Sequence, residues 1–268
     1  MCACLRILFF ICIARPLLAL VMGCNVFGRE FLPRGLPAEQ FIMVANHNSH
    51  LDALALLNLF SLRHIAHVRP VAAGDYFMTN AVVAWFASTC INILPIPRSG
   101  ITRANNPVTL MAGALEAGQS IILFPEGSRG NPEEMQAFKT GIAHLIKKYP
   151  HIPVIPVFMK GMGRCLPKGE IVLIPFFCDI AIGAPLRFDD GDFLSKEAIT
   201  ERLTTAVCAL RQELTERFGL DDVHPSESAP HPPAHGAAES TPHPPAHGAA
   251  ESTPHPPAPS PARGEGES

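Results

Sequence analysis

Within the run Asn46-His47-Asn48-Ser49-His50-Leu51-Asp52, an imidazole and a carboxylate stand five residues apart. A histidine with one ring nitrogen tied to a carboxylate is a general base at neutral pH, because the carboxylate fixes the tautomer and stabilises the imidazolium that forms. No enzyme nucleophile is required if the hydroxyl to be deprotonated belongs to the substrate and attacks an activated carbonyl directly. On one continuous helix two residues five apart lie about 140° apart, so these side chains could not meet. The spacing therefore predicts His47 in a loop and Asp52 in the first turn of a following helix, with Asn48 or Ser49 as its N-cap. The apolar run 51–60 supplies that helix. The same segment supports a second reading, in which His47, His50 and Asp52 ligate the metal of a hydrolase. Ahead of the C-terminal tail the other histidines are His64, His67, His144 and His151, in no recognisable ligand spacing.

Two further clusters carry charge and glycine. Phe124-Pro125-Glu126-Gly127-Ser128-Arg129-Gly130 follows a very apolar run, with Lys139 shortly after. Glycine lets a ligand approach backbone N–H groups, and Arg129 and Lys139 supply charge for a phosphate. Glu126 either accepts hydrogen bonds from a polyol hydroxyl or pairs with Arg129, and the residues by themselves favour the pair. Ser128 is no hydrolase nucleophile, since the position two before it is Glu126 where a nucleophile elbow has glycine. Arg98, in Leu94-Pro95-Ile96-Pro97-Arg98, is placed to make a phosphate contact.

The elements that must position these residues alternate. Strand-like runs at 41–45, 70–73, 91–94, 120–124, 154–158 and 171–182 are interleaved with helix-like stretches at 51–60, 76–87, 107–117, 141–149 and 193–217. Alternation of this kind implies an α/β fold, a mostly parallel sheet flanked by helices, with chemistry where strands give way to loops. The three clusters fall at such points.

Composition sets the boundaries. Residues 223–268 are mostly Pro, His, Ala, Ser, Gly and Glu, with a 12-residue unit, HPPAHGAAESTP, at 231–242 repeated at 243–254. Such a segment cannot bury enough apolar surface to offset its ordering entropy, so a disordered tail is expected. The chain holds 21 Lys and Arg against 24 Asp and Glu; the tail takes 1 and 5, leaving 20 against 19 in residues 1–222. A near-neutral domain without basic clusters argues against a nucleic-acid partner. The eight cysteines are scattered and contain no C-x-x-C pair, as expected of reduced thiols on the cytoplasmic side. Residues 1–26 form an apolar segment interrupted by Arg6, Arg15 and Pro16. A charge near the centre of a spanning helix costs about 2.5–3.5 kcal/mol, so interfacial immersion competes with spanning. The expected organisation is a membrane-anchoring segment at 1–26, a catalytic domain at 27–222 and the tail at 223–268.

Taken in order, these clusters resemble the glycerolipid acyltransferase family that includes 1-acylglycerol-3-phosphate acyltransferases. His47 and Asp52 match its H-x4-D motif, Arg98 the arginine of its second block, Phe124–Arg129 its F-P-E-G-[ST]-R block, and Ile155-Pro156-Val157 its fourth. Gly28-Arg29-Glu30 and Leu32-Pro33 resemble its entry to the first strand. The resemblance implies a glycerol-3-phosphate acyltransferase-like fold on the cytoplasmic face of the inner membrane. It implies acyl transfer from acyl-CoA or acyl carrier protein to a lysophospholipid, chiefly 1-acyl-sn-glycerol 3-phosphate, with no metal or other cofactor. On that reading His47 is the base, Asp52 its partner, and Arg98, Glu126, Gly127, Ser128 and Arg129 bind the acceptor, to which the residues themselves add Lys139.

Overall fold

Strands covered on both faces read as unbroken apolar runs, and Ile42–Ala45 and Ser120–Leu123 are buried along their whole length. The structure, a computed structural model, describes residues 2–34, 39–77, 80–103, 105–130, 134–165, 175–189 and 195–218. In chain order the elements are α1 (Cys2–Phe9), a π-helical turn (Phe10–Ala14), α2 (Arg15–Val21), β1 (Met22–Phe27), β2 (Ile42–Ala45), α3 (Asp52–Asn58), α4 (Leu62–Ile65) and β3 (Val68–Ala73). There follow α5 (Gly74–Phe77), α6 (Ala81–Phe86), a second π-helical turn (Ala87–Ile91), β4 (Leu94–Ile96), α7 (Pro107–Glu116) and β5 (Ser120–Leu123). The rest are α8 (Gly141–Lys148), β6 (Val154–Lys160), α9 (Met162–Cys165), β7 (Phe176–Ile182) and α10 (Lys196–Phe218).

Among the described residues, seven strands form one sheet in the order β1-β7-β6-β2-β5-β3-β4. Every pairing is parallel except β6 with β7, so the mostly parallel α/β sheet expected from sequence is the one observed. Alternate side chains divide the core in two. Met43, Ala45, Ile122, Val157 and Met159 face α3 and the N-terminal helix, while Ile42, Val44, Ile121, Leu123 and Phe158 face α7, α8 and α10.

The N-terminal boundary differs from expectation. Residues 22–26, grouped by sequence with the apolar segment, belong to β1, which pairs in parallel with β7 from Met22↔Phe176 to Phe27↔Ala181. An edge strand with most of its residues exposed or half-buried leaves no apolar alternation to read. The preceding helix, Ala3–Val21, is 19 residues and apolar enough to cross a membrane by length and composition. Yet Phe10, Ala14 and Leu18 are buried in the domain core. Arg6, only 6 % exposed, donates to the carbonyls of Thr89 and Ala66, each at 3.4 Å, and Arg15 donates to that of Phe60 at 3.0 Å. Ala66 caps α4 and Phe60 lies just past α3, where helix carbonyls lack intrahelical partners. The charges that interrupt the apolar run therefore fasten it to the domain. Pro16 has no N–H to give to the preceding turn, and the wide turn at Phe10–Ala14 sits where that bond is missing.

A second difference lies at the expected strand 91–94. The π-helical turn runs through Ile91, and Asn92, at φ 66°, ends it in the left-handed conformation, so β4 starts only at Leu94. The chain divides after Asp222, where the composition changes. The expected disordered tail, 223–268, lies outside the described residues, as do 171–174 and 193–194 of the last expected strand and helix.

Candidate active site

Past Ala45 the chain leaves the sheet, turns through Asn48 and Ser49, and enters α3 at Asp52, its first residue. Asp52 is fully buried, and its Oδ2 lies 2.8 Å from Nδ1 of His47. The same oxygen accepts from the backbone N–H groups of Asn48 at 2.8 Å and Ser49 at 2.9 Å. The expected cap is thus replaced. Leu51 is the N-cap residue, without a side-chain bond, and the carboxylate of Asp52 reaches back to the two N–H groups instead. A carboxylate receiving three donors is held rigidly, and a negative charge suits a helix start. With Nδ1–H given to Asp52, Nε2 is the nitrogen that can take a proton, a tautomer that follows from the bonding pattern. The His47 ring, with 22 % of the side chain exposed, stacks on Phe124 at 4.3 Å between centroids and 20° between planes.

The loop after β5 holds His47 by its backbone. Glu126 Oε1 accepts from the His47 N–H at 3.2 Å, and the Gly130 N–H donates to the His47 carbonyl at 2.9 Å. Glu126 is 2 % exposed, and burial pushes its carboxyl up to about 7; hydrogen bonds from the His47 and Gln136 backbone oppose the shift and the Asp52 charge adds to it. The pair with Arg129 expected from sequence does not form, because Glu126 turns inward to His47. Among the described residues, Glu126 Oε2, Asp52 Oδ1 and Arg129 Nη1 are buried and find no hydrogen-bond partner. Each such atom costs about 1–3 kcal/mol unless something satisfies it, as a bound polar ligand does.

Gly127, at φ 76°, closes a turn with its N–H on the Phe124 carbonyl at 3.0 Å. Its own carbonyl accepts from Arg98 Nη2 at 3.2 Å. The left-handed backbone angle favours glycine here, and the end of the Lys139 side chain lies over the position a Cβ would take. Arg98 from the end of β4 and Lys139 from before α8 thus converge on the loop that carries Arg129. Gly127, Ser128, Arg98 and Lys139 are exposed, and Ser128 Oγ donates to Gln136 Oε1 at 3.4 Å.

His50 lies within the electrostatic reach of both His47 and Asp52. Burial, then the charges of Arg129 and His47, hold its pKa below the usual histidine value, with Asp52 opposing. The three-ligand arrangement of the hydrolase reading does not form: no group of three or more His, Cys, Asp or Glu placed to hold a metal occurs among the described residues. Two contributors escaped the sequence reading, the stacking ring of Phe124 and the side chain of Asn46. The first enters the sequence reading only as a strand end and the opening residue of the F-P-E-G-[ST]-R block, and the second has no chemistry of its own to draw attention.

The acyltransferase family model matches residues 23–160. The chloroplastic 1-acyl-sn-glycerol-3-phosphate acyltransferase of Arabidopsis thaliana is 28 % identical over 177 residues, covering 65 % of this chain and 46 % of that protein. The alpha form of 1-acyl-sn-glycerol-3-phosphate acyltransferase from Homo sapiens is 25 % identical over 188 residues, covering 67 % and 61 %. The chain spans about half the length of the plant relatives it matches, 46 % and 48 %. Among solved structures, the 1-acyl-sn-glycerophosphate acyltransferase of Thermotoga maritima superposes with a TM-score of 0.61, at 22 % identity, over 75 % of this chain and 76 % of that one. A likeness at that identity speaks to the fold.

Proposed function

Because the chain belongs to the acyltransferase family, we propose that it esterifies the free hydroxyl of a lysophospholipid with a fatty acyl group from acyl-CoA or acyl carrier protein. The acceptor is 1-acyl-sn-glycerol 3-phosphate, the compound in the names of the curated relatives, and its acylation gives phosphatidic acid. The observation that carries the reading is the 2.8 Å contact between His47 Nδ1 and a fully buried Asp52, beside a loop on which Arg98 and Lys139 converge.

The acceptor hydroxyl gives its proton to Nε2 of His47 as its oxygen forms a bond to the thioester carbonyl carbon. Asp52 stabilises the imidazolium through Nδ1–H. The tetrahedral intermediate then expels the thiolate, which recovers the proton from His47. Arg98, Arg129 and Lys139 hold the phosphate, while Glu126, Gly127 and Ser128 line the glycerol portion. The donor is a substrate, so this route calls on no cofactor. The exposed Leu8, Ile11, Ile13 and Leu20 of the N-terminal helix fit contact with the bilayer in which acceptor and product reside, at the cytoplasmic face of the inner membrane.

The test offers labelled acyl-CoA or acyl carrier protein with a panel of lysolipids and identifies products by mass spectrometry. Phosphatidic acid should form, His47→Ala should abolish it, and Arg129→Ala should weaken phosphorylated acceptors far more than the donor. Activity lost to chelators together with stoichiometric zinc would overturn the reading in favour of the hydrolase.

A further inference from the structure

β2 and β6 pair as far as Ala45↔Val157, but β6 runs on to Lys160. The main chain of the first strand leaves the sheet there, and its side chain takes over the ladder. Asn46 Nδ2 donates to the Met159 carbonyl at 2.9 Å, and the Met159 N–H donates to Asn46 Oδ1 at 2.8 Å. A carboxamide has the donor and acceptor of a peptide group, so it satisfies the neighbouring strand while the backbone turns away to present His47. The second Nδ2 hydrogen goes to Asn48 Oδ1 at 2.8 Å, and Asn48 Nδ2 in turn donates to the Glu134 carbonyl at 3.0 Å. Asn46 is 2 % exposed and Asn48 4 %. The amides of Asn46 and Asn48 in series therefore tie the His47 loop both to the sheet and to Glu134.

We propose that Asn46 is a positioning residue for the acyl-transfer reaction, fixing through its bonds to Met159 and Asn48 the direction in which His47 presents Nε2. This deepens the acyltransferase reading and rests on it. Alanine removes all three bonds. Aspartate loses both donors, and glutamine keeps donor and acceptor on a chain one methylene too long to meet the Met159 peptide with His47 in place.

The experiment uses the full chain in lipid or detergent, with N46A, N46D and N46Q compared with wild type for thermal stability, kcat and the KM of each substrate. A misplacement of about 1 Å can cost on the order of 100-fold. The expected result is a kcat lowered about 100-fold, with both KM values within about threefold, since only alignment is lost. Should N46A not fold, N46Q carries the same expectation. N46A added to His47→Ala should cost nothing further, because the residue acts through His47. The His47 Nδ1–H proton resonance, identified by its loss in His47→Ala, should shift or broaden in N46A. A kcat within about twofold of wild type in folded variants, or an undisturbed resonance, overturns the proposal. Wild type that transfers no acyl group while N46A still disturbs the resonance would refute the acyltransferase reading and leave the positioning role standing.

Discussion

At Asp52 a single oxygen receives an imidazole N–H and two backbone N–H groups, so removing its charge acts on chemistry before it acts on fold. An asparagine oxygen can still take those donors, but it cannot stabilise an imidazolium as a carboxylate does. Asp52→Asn should lower kcat by about two to four orders of magnitude, with the KM values little changed, as steady-state kinetics on folded protein will measure. Glu126 yields a prediction in stability. Its folded carboxyl titrates at about 7, while in the unfolded chain it titrates near ~4.3. The folded state therefore binds more protons between those values, and the stability from neutral Glu126 is complete at low pH and lost as pH rises through 7. Glu126→Gln keeps an acceptor for the His47 N–H without that titration. It should be more stable than wild type at pH 8 by on the order of 2–3 kcal/mol and should flatten the slope between about pH 5 and 7, in denaturant melts across that range. The contact between His47 and Asp52 was legible because the two residues are local, five apart. The hold of Glu126 on His47 spans 79 residues, and no local pattern encodes it.

Among the elements, those with strong periodicity were readable and those shaped by tertiary contact were not. α3, α7 and α8 lie within two residues of their expected ends, because each has an apolar stripe and turn residues around it. The two π-helical turns and β1 have no such signature: one turn answers to Pro16, and β1 is an edge held by β7. The N-terminal helix shows the same limit. Its composition states that it is apolar, but only packing states that Arg6 is buried against two carbonyls. Arg6→Met would fill the space with a similar stem and leave both carbonyls unpaired. It should destabilise the domain by about 1–3 kcal/mol, seen as a lower denaturation midpoint with an unchanged slope. A helix that merely anchored a separate domain would let the same substitution pass without effect.

For the molecule as a whole, strand direction decides where the apolar surface lies. β7 runs against β6, and β1 runs with β7, so Met22 enters the sheet at the end where β2 delivers His47. The helix that ends at Val21 therefore arrives at the end of the sheet that carries His47. Against it lies α6, with Phe9 and Phe86 edge to face at 5.1 Å and with Val82, Val83 and Trp85 exposed. Crossing a bilayer would strip Phe10, Ala14 and Leu18 from the core and carry the Arg6 charge into hydrocarbon, at about 2.5–3.5 kcal/mol for the charge. Lying in the interface costs neither, and a tryptophan suits that depth. Trp85 is the only tryptophan of the chain, 55 % exposed, so its fluorescence reports on this surface directly. On addition of vesicles its emission should shift to the blue and be quenched by brominated acyl chains. Leu8→Glu combined with Val82→Glu should abolish vesicle co-sedimentation while leaving the circular dichroism spectrum unchanged. If Trp85 emission stays fixed while the protein still sediments with vesicles, α6 faces away from the bilayer and the N-terminal helix makes the contact without it.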